Sequence, residues 1–452
     1  MNNKLEKRYG LTTAIAMVVG IVIGSGVFFK AEKVLNVTGG DLKLGILAWI
    51  IGGTIMIVCA YVFSLMATKY EFVNGIVDYA EQTVGKTYAY NIGWFMATMY
   101  YPAITSVLAW VSARYFCVIL GFDIIGSEAL TLAGFFLISS FVMNSLSPKL
   151  AGNFQVSTTI IKLIPLVLMA LVGTVVGLSN GMTITNFTTV VTEVDNPLKA
   201  LFTGVVATAF AYEGWIIATT INAELKDAKT NLPKALVLGA LITVSTYILY
   251  YIGLAGGIEN SILMTAGEKG PLQAFKTVFG DIGSLLLYFF VVISCLGTLN
   301  GLMMGATRGI YSLSVRGMGV KPNLFKQVDP VSNIPNNSAV IGLLLCSLWL
   351  VYFFGANLVP VSWFGPFTFD SSELVIVTVY ALYLPIFYNF IKKSSELNTF
   401  NRYVMPIAAI ICSIFMVIAC IYAHTNEVFY YLILFSLIMI LGNFFNSKNM
   451  NE

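Results

Sequence analysis

Two short runs carry the residues whose types and spacing could do chemistry. In Ile21-Val22-Ile23-Gly24-Ser25-Gly26-Val27-Phe28-Phe29, with Gly20 just before it, three glycines and a serine crowd into seven positions near the middle of the first apolar segment. A helix is weakest where glycines gather. A second weak point, Phe210-Ala211-Tyr212-Glu213-Gly214-Trp215, falls about two-thirds of the way through the sixth apolar segment. An unwound helix exposes backbone N–H groups at one half-helix start and carbonyls at the other half-helix end. The first suit a carboxylate, the second an ammonium group. Two such breaks side by side make a receptor for a zwitterion without any charged side chain, and an α-amino acid fits that description. The plainer alternative is that Gly20 and Gly24 form a small-xxx-small packing face between helices; the second break argues against it.

Two ionisable residues lie inside apolar segments near these runs. Lys162 sits in Thr158-Thr159-Ile160-Ile161-Lys162-Leu163-Ile164-Pro165. A charge at membrane depth costs roughly 2.5–3.5 kcal/mol on insertion scales, so its presence calls for a reason. One reason is snorkelling: Lys162 is about six positions, about 9 Å at 1.5 Å per residue, from the expected cytoplasmic start of its helix. The other is function. Glu213 could accept hydrogen bonds from unwound backbone, carry a coupled proton, or favour cationic substrates. Arg114 and Glu373 read as partners in helix-end or helix–helix pairing.

Other chemistries lack their parts. His424 is the only histidine, and the six cysteines all fall in apolar segments with no metal-ligand spacing. The sequence therefore implies no metal, no cofactor and no catalytic residues, and no enzyme is expected. No GxxxxGK[ST] loop is present, so the energy must come from a gradient or from exchange. A channel would show a selectivity-filter repeat. A nutrient receptor on the same scaffold would show a long regulatory tail, whereas the tails here are about ten and six residues.

The elements that position these residues are membrane helices. The chain is 58% hydrophobic and 10% charged, against roughly 25% charged residues in soluble domains, and its mean hydropathy is +0.83. Apolar runs long enough to span about 30 Å of hydrocarbon recur at about 11–29, 43–67, 89–119, 127–145, 157–178, 199–221, 235–257, 283–312, 338–355, 364–391, 404–422 and 427–446. With the N-terminus in the cytoplasm, seventeen of the twenty-five Lys and Arg fall on the cytoplasmic side. Six fall outside (Lys30, Lys33, Lys43, Lys199, Lys269 and Lys276), and Arg114 and Lys162 lie within segments. This bias places both termini in the cytoplasm. The net charge of +3 is thus a topology signal with no nucleic-acid partner implied. No cleavable signal peptide is expected.

The expected fold is an all-α integral membrane protein of twelve transmembrane helices, a single domain over residues 1–452. Segment 1 starts in the cytoplasm and segment 6 starts outside, so corresponding helices run in opposite directions. That predicts a 5+5 inverted repeat, with halves at about 11–178 and 199–391, discontinuous helices 1 and 6, and two extra C-terminal helices at about 404–446. Interrupted helices at matching places in two halves point to a transporter's substrate site.

At this point the chain resembles a known family. Gly24-Ser25-Gly26, the Phe210–Trp215 run, Asn231-Leu232-Pro233-Lys234-Ala235, and Ser294-Cys295-Leu296-Gly297-Thr298-Leu299-Asn300-Gly301 followed by Arg308 and Arg316-Gly317 look like the amino acid–polyamine–organocation superfamily. Within it the chain looks most like bacterial members of the L-type amino acid transporter family. The resemblance implies that Gly24, Ser25 and Gly26 bind the substrate carboxylate. It gives the α-amino group to Ile23 and the backbone carbonyls of Phe210, Ala211 and Tyr212, and makes Phe210 the gate. Glu213 belongs to the same stretch. Lys162 matches the family's fifth-helix lysine, with Tyr247, Ser294 and Thr298 as its coupling neighbours. There its ammonium would lie against the broken first helix, where sodium-coupled relatives of the fold hold their ion, and would make sodium unnecessary. Mammalian members bond a helper glycoprotein through a cysteine in the loop that here runs from about Gly121 to Glu128 and has none; no disulfide-linked heavy subunit is expected. The implied activity is sodium-independent exchange of neutral L-amino acids in the cell membrane by alternating access. Proton-coupled symport, and transport of cationic amino acids or polyamines, stand as alternatives.

Overall fold

The computed structural model describes residues 10–70, 75–216, 225–267, 269–329 and 334–449. The basic residues Lys4, Lys7 and Arg8, and the end of the sixth expected segment (217–221), lie outside them. Among the described residues the regular structure is helical. Nine helices of the described residues are long and apolar enough to cross a membrane, or ten when one bent pair is taken as a single span.

In chain order the helices are α1 (Leu11–Val22), α2 (Gly26–Val37), α3 (Leu42–Lys69), α4 (Ile76–Thr83), α5 (Lys86–Leu120) and α6 (Ser127–Leu146). Next come α7 (Pro148–Ile161), α8 (Leu163–Ser179), α9 (Met182–Thr188), α10 (Pro197–Ala211), α11 (Ala228–Gly257) and α12 (Asn260–Thr265). The last are α13 (Lys269–Ser314), α14 (Asn336–Asn357), α15 (Leu374–Lys393), α16 (Phe400–Ala423) and α17 (Thr425–Asn449). The expected segment at 364–391 starts ten residues early. Residues Gly365–Phe367 form only a short 3-10 turn, with Gly365 at φ 52°, and the helix begins at Leu374. The polar links are more structured than the sequence suggests. They hold α4, α9 and α12, and α8 and α9 meet at 86°. Within α13, Gly280 at φ 73° marks a sharp kink below the membrane-length part.

The chain divides into two compact units, each assembled from three separate stretches. The first comprises Met1–Gly85, Leu163–Leu287 and Val377–Ala423. Its α3 carries glycines that let neighbours close in: a side chain on Gly53 would put its Cβ 2.5 Å from Val244 of α11, and one on Gly52 would strike Thr208 of α10. The Tyr61 hydroxyl donates to Asn401 Oδ1 at 2.8 Å, and Phe202 meets Phe415 edge-on at 5.2 Å, tying α16 to α3 and α10.

The second unit comprises Lys86–Lys162, Tyr288–Ile376 and His424–Glu452. A buried amide pair holds its centre: Asn144 Nδ2 donates to Asn300 Oδ1 at 2.8 Å, and Asn300 Nδ2 donates to the Ala151 carbonyl at 3.1 Å. Amides buried in apolar surroundings need such partners.

At one corner of this unit His424 lies between two carboxylates, Nε2 3.0 Å from Glu373 Oε2 and Nδ1 3.1 Å from Glu427 Oε2. The Glu373 side chain is fully buried, so the helix-end pairing expected for it is present. Burial of His424 opposes the imidazolium, but the two carboxylates outweigh it and push its pKa up from 6.5 to about 9. A pKa raised by folding gives stability that is complete below the unfolded value, about 6.5, and is lost as pH rises through about 9. Purified protein should therefore melt at a lower temperature at pH 9.5–10 than at pH 6.5, and His424→Gln should shrink that gap. A gap of the same size in the variant would remove this contact as its cause.

Candidate functional site

The first break lies where the glycine spacing predicts it. α1 ends at Val22, Ile23 turns to extended backbone (φ −68°, ψ 106°), and α2 starts at Gly26. Ser25 stands at the N-cap, yet its side chain caps nothing. Its hydroxyl is fully buried and makes no hydrogen bond to the protein. A buried polar group without a partner is costly, and here it sits at the positive end of a helix.

The second break follows α10. The Tyr212 N–H closes the last turn on the Thr208 carbonyl at 3.0 Å, and Gly214 takes φ 101°, a left-handed conformation that ends the helix. The two breaks meet within the first unit. A Cβ built on Gly26 would lie 2.5 Å from Ala211 Cα and 3.1 Å from the Phe210 carbonyl oxygen. Only glycine permits that approach of one backbone to another.

Tyr247 of α11 fixes the pair from behind. Its hydroxyl lies 3.1 Å from both the Val22 and the Ala211 carbonyls, the last carbonyls of the two broken helices. The side chain is fully buried and stacks on Tyr212 at 5.3 Å, and Trp49 meets both rings edge-on at 5.6 and 5.7 Å. The Tyr212 hydroxyl donates to the Trp49 carbonyl at 3.0 Å, so this side chain is wall, and its backbone faces the break.

Ile23, Gly24, Ser25, Gly26, Phe210, Ala211 and Tyr212 are thus brought to one place. Glu213 follows directly, half-buried, with its carboxylate within electrostatic reach of Cys59 on α3 and Tyr380 on α15. Lys30, an outer-side charge by its place in the sequence, joins them. It is fully buried, and its Nζ sits 5.3 Å from the centre of the Phe210 ring. The signal was present in the spacing: Lys30 is four residues beyond Gly26, one turn up the same face of α2.

The remaining candidates belong to the second unit. Lys162 occupies the one-residue interruption between α7 and α8, its N–H bonded to the Thr158 carbonyl at 3.0 Å. Pro165 explains the interruption, since it has no N–H for the Ile161 carbonyl. Lys162 is 2% exposed, which speaks against snorkelling, because a snorkelling head group reaches the surface. Ser294 and Thr298 flank Gly297 on α13, and a Cβ on Gly297 would strike Thr158, one turn before Lys162. The two helices therefore press together beside the lysine. The Ser294 hydroxyl is buried and, like that of Ser25, unbonded.

The family described as amino acid permease matches residues 9–443. The serine/threonine exchanger SteT of Bacillus subtilis (strain 168) is 26% identical over 410 residues, covering 90% of this chain and 88% of the relative. The b(0,+)-type amino acid transporter 1 of Homo sapiens is 26% identical over 448 residues, covering 96% and 86% respectively. The glutamate/serine transporter AimA of B. subtilis is 22% identical over 375 residues, covering 78% and 67%.

Proposed function

Because the chain belongs to the amino acid permease family, we propose that it exchanges neutral L-amino acids across the cell membrane by alternating access, without sodium. The observation that carries this reading is the meeting of the two helix breaks at Gly26 and Ala211, with the unbonded Ser25 hydroxyl beside them. The start of α2 offers N–H groups to a carboxylate, and the carbonyl ends of α1 and α10 accept from an ammonium. Neither side chain nor ion need supply charge, as suits a zwitterion whose side chain is neutral. Phe210 acts as the gate. Lys162, with Ser294 and Thr298 beside its turn, supplies a fixed positive charge to the coupling site.

We further read the architecture as twelve crossings in a 5+5 inverted repeat plus two helices, with both termini cytoplasmic. Unit membership supports the repeat. The first and second expected segments and their counterparts, the sixth and seventh, fall in one unit; the third and fourth and their counterparts, the eighth and ninth, fall almost wholly in the other. The relatives described as exchangers or amino acid transporters support the activity.

One observation favours a second reading of the substrate. An ammonium buried beside the gate, as Lys30 is, suits a side chain bearing a carboxylate, and one relative is described as a glutamate/serine transporter. Proteoliposomes separate the readings. Vesicles loaded with serine should take up labelled serine or threonine at least tenfold faster than empty vesicles, in choline as in sodium; equal uptake into empty vesicles would overturn exchange. If acidic substrates are also carried, glutamate should compete in the wild type. Lys30→Met should weaken that competition by roughly tenfold, the loss of one charge-assisted bond, with serine uptake retained. Glutamate that fails to compete leaves the neutral reading alone.

A further inference from the structure

An apolar groove of about 510 Å³ opens on the second unit. Its walls come from α5, α13, α14, α17 and the link that follows α13. Each polar group on the walls is already spoken for. The Trp94 indole N–H donates to the Ile438 carbonyl at 2.9 Å, and that of Trp349 to the Thr98 carbonyl at 3.0 Å. The Thr98 hydroxyl donates to the Trp94 carbonyl at 2.7 Å, and the Tyr352 hydroxyl to the Phe367 carbonyl at 2.8 Å. With no hydrogen bond to offer, the groove suits a hydrocarbon and rejects an amino acid.

Its length fits one leaflet. The lining on α14 runs from Ile341 to Tyr352, about 16 Å at 1.5 Å per residue, or half of a hydrocarbon core of about 30 Å. The lip is open toward the lipid, where Leu348 is 58% and Leu441 50% exposed.

One end of the groove is basic. Val320 and Phe325 close it, and each is followed by an exposed lysine, Lys321 and Lys326. The chain turns at Lys321, which takes φ 38°, so Val320 enters the groove while Lys321 faces out. Lys326 is steadied by a 2.7 Å bond from its Nζ to Asn323 Oδ1. From Val315 to Asn337 the link carries three cations (Arg316, Lys321, Lys326) and a single acid, Asp329.

We propose that this groove binds an acyl chain of an anionic phospholipid whose phosphate is held by Lys321 and Lys326. Apolar depth, leaflet length and paired lysines at one end are together the complement of such a lipid, and the lysines lie on the side assigned above to the cytoplasm, where anionic lipid gathers.

Native mass spectrometry of the purified full chain, offered equal amounts of phosphatidylglycerol and phosphatidylcholine with the same acyl chains, tests it. The expected result is one retained lipid, with phosphatidylglycerol favoured roughly tenfold or more, since each lysine near the head group adds attraction. The surface pair Lys321→Gln/Lys326→Gln should abolish the preference while a chain is still retained. Leu345→Trp or the milder Ile438→Phe, filling the groove, should lose lipids of both kinds with substrate binding retained. Equal retention of the two lipids by the wild type would overturn the proposal. So would lipid kept by both groove-filling variants, or a wild-type dimer that either variant dissociates, which would make a second copy the occupant.

Discussion

Gly26→Ala is expected to lose substrate binding, with affinity falling by about 100-fold or more. The added methyl would lie 2.5 Å from Ala211 Cα and 3.2 Å from Ala211 Cβ. The nearest obstacle is backbone, which cannot rotate aside as a long side chain would. The two breaks must move apart, and a carboxylate and ammonium on one α-carbon then cannot reach both. Ser25→Ala guards against a result that reports only misfolding. The Ser25 hydroxyl is buried and unbonded, so deleting it should leave the melting temperature unchanged or raise it, while affinity falls about tenfold through loss of a bond to the substrate. Calorimetric or scintillation-proximity titration of a labelled amino acid reads both variants. Wild-type affinity in a folded Gly26→Ala protein would place the substrate elsewhere.

Lys162→Met should lose most of the exchange rate, about tenfold or more, with a much smaller change in affinity, because a coupling charge acts on the conformational step after the substrate lands. The wild type should show equal rates in sodium and choline. A sodium requirement would sink the idea that a fixed ammonium replaces the ion. A normal rate in Lys162→Met would make the lysine structural, held by the end of α7 and the press of Gly297 on Thr158. Uptake into empty vesicles that rises with an inward proton gradient, and is lost in the variant, would favour proton coupling instead.

Long apolar helices were legible in the sequence because length and hydropathy suffice for them: α3, α5, α6 and α14 begin and end within a few residues of expectation. The breaks were legible because glycine is costly inside a helix, and Gly24, Gly26 and Gly214 have few other reasons to sit there. Residues 364–373 misled because Phe364, Phe367 and Phe369 are apolar by composition, while Gly365, Pro366 and Asp370 set a non-helical backbone that an average over the window hides. Burial of Lys30 was legible only through its place one turn beyond Gly26 on α2. Lys30 counts as a topogenic cation in a tally of Lys and Arg, and only the packing of α2 against α10 shows it enclosed beside Phe210. Tyr247 likewise carried no signal of its own, since its two carbonyl partners lie 225 and 36 residues away in the chain.

The interleaving of the first unit bears on how the protein is made. α1 and α2 leave the ribosome early, but α16, which packs on α3 and α10 through Asn401 and Phe415, is complete only at Ala423. At the usual 5–20 residues per second of synthesis, α3, complete at Lys69, waits roughly 20–70 s for that partner. Through that interval the face of α3 that carries Tyr61 must survive in lipid without the neighbour that satisfies it. Translation rate, and any insertase that shelters half-built bundles, should therefore influence the yield of this protein more than that of one whose helices pack in the order they emerge.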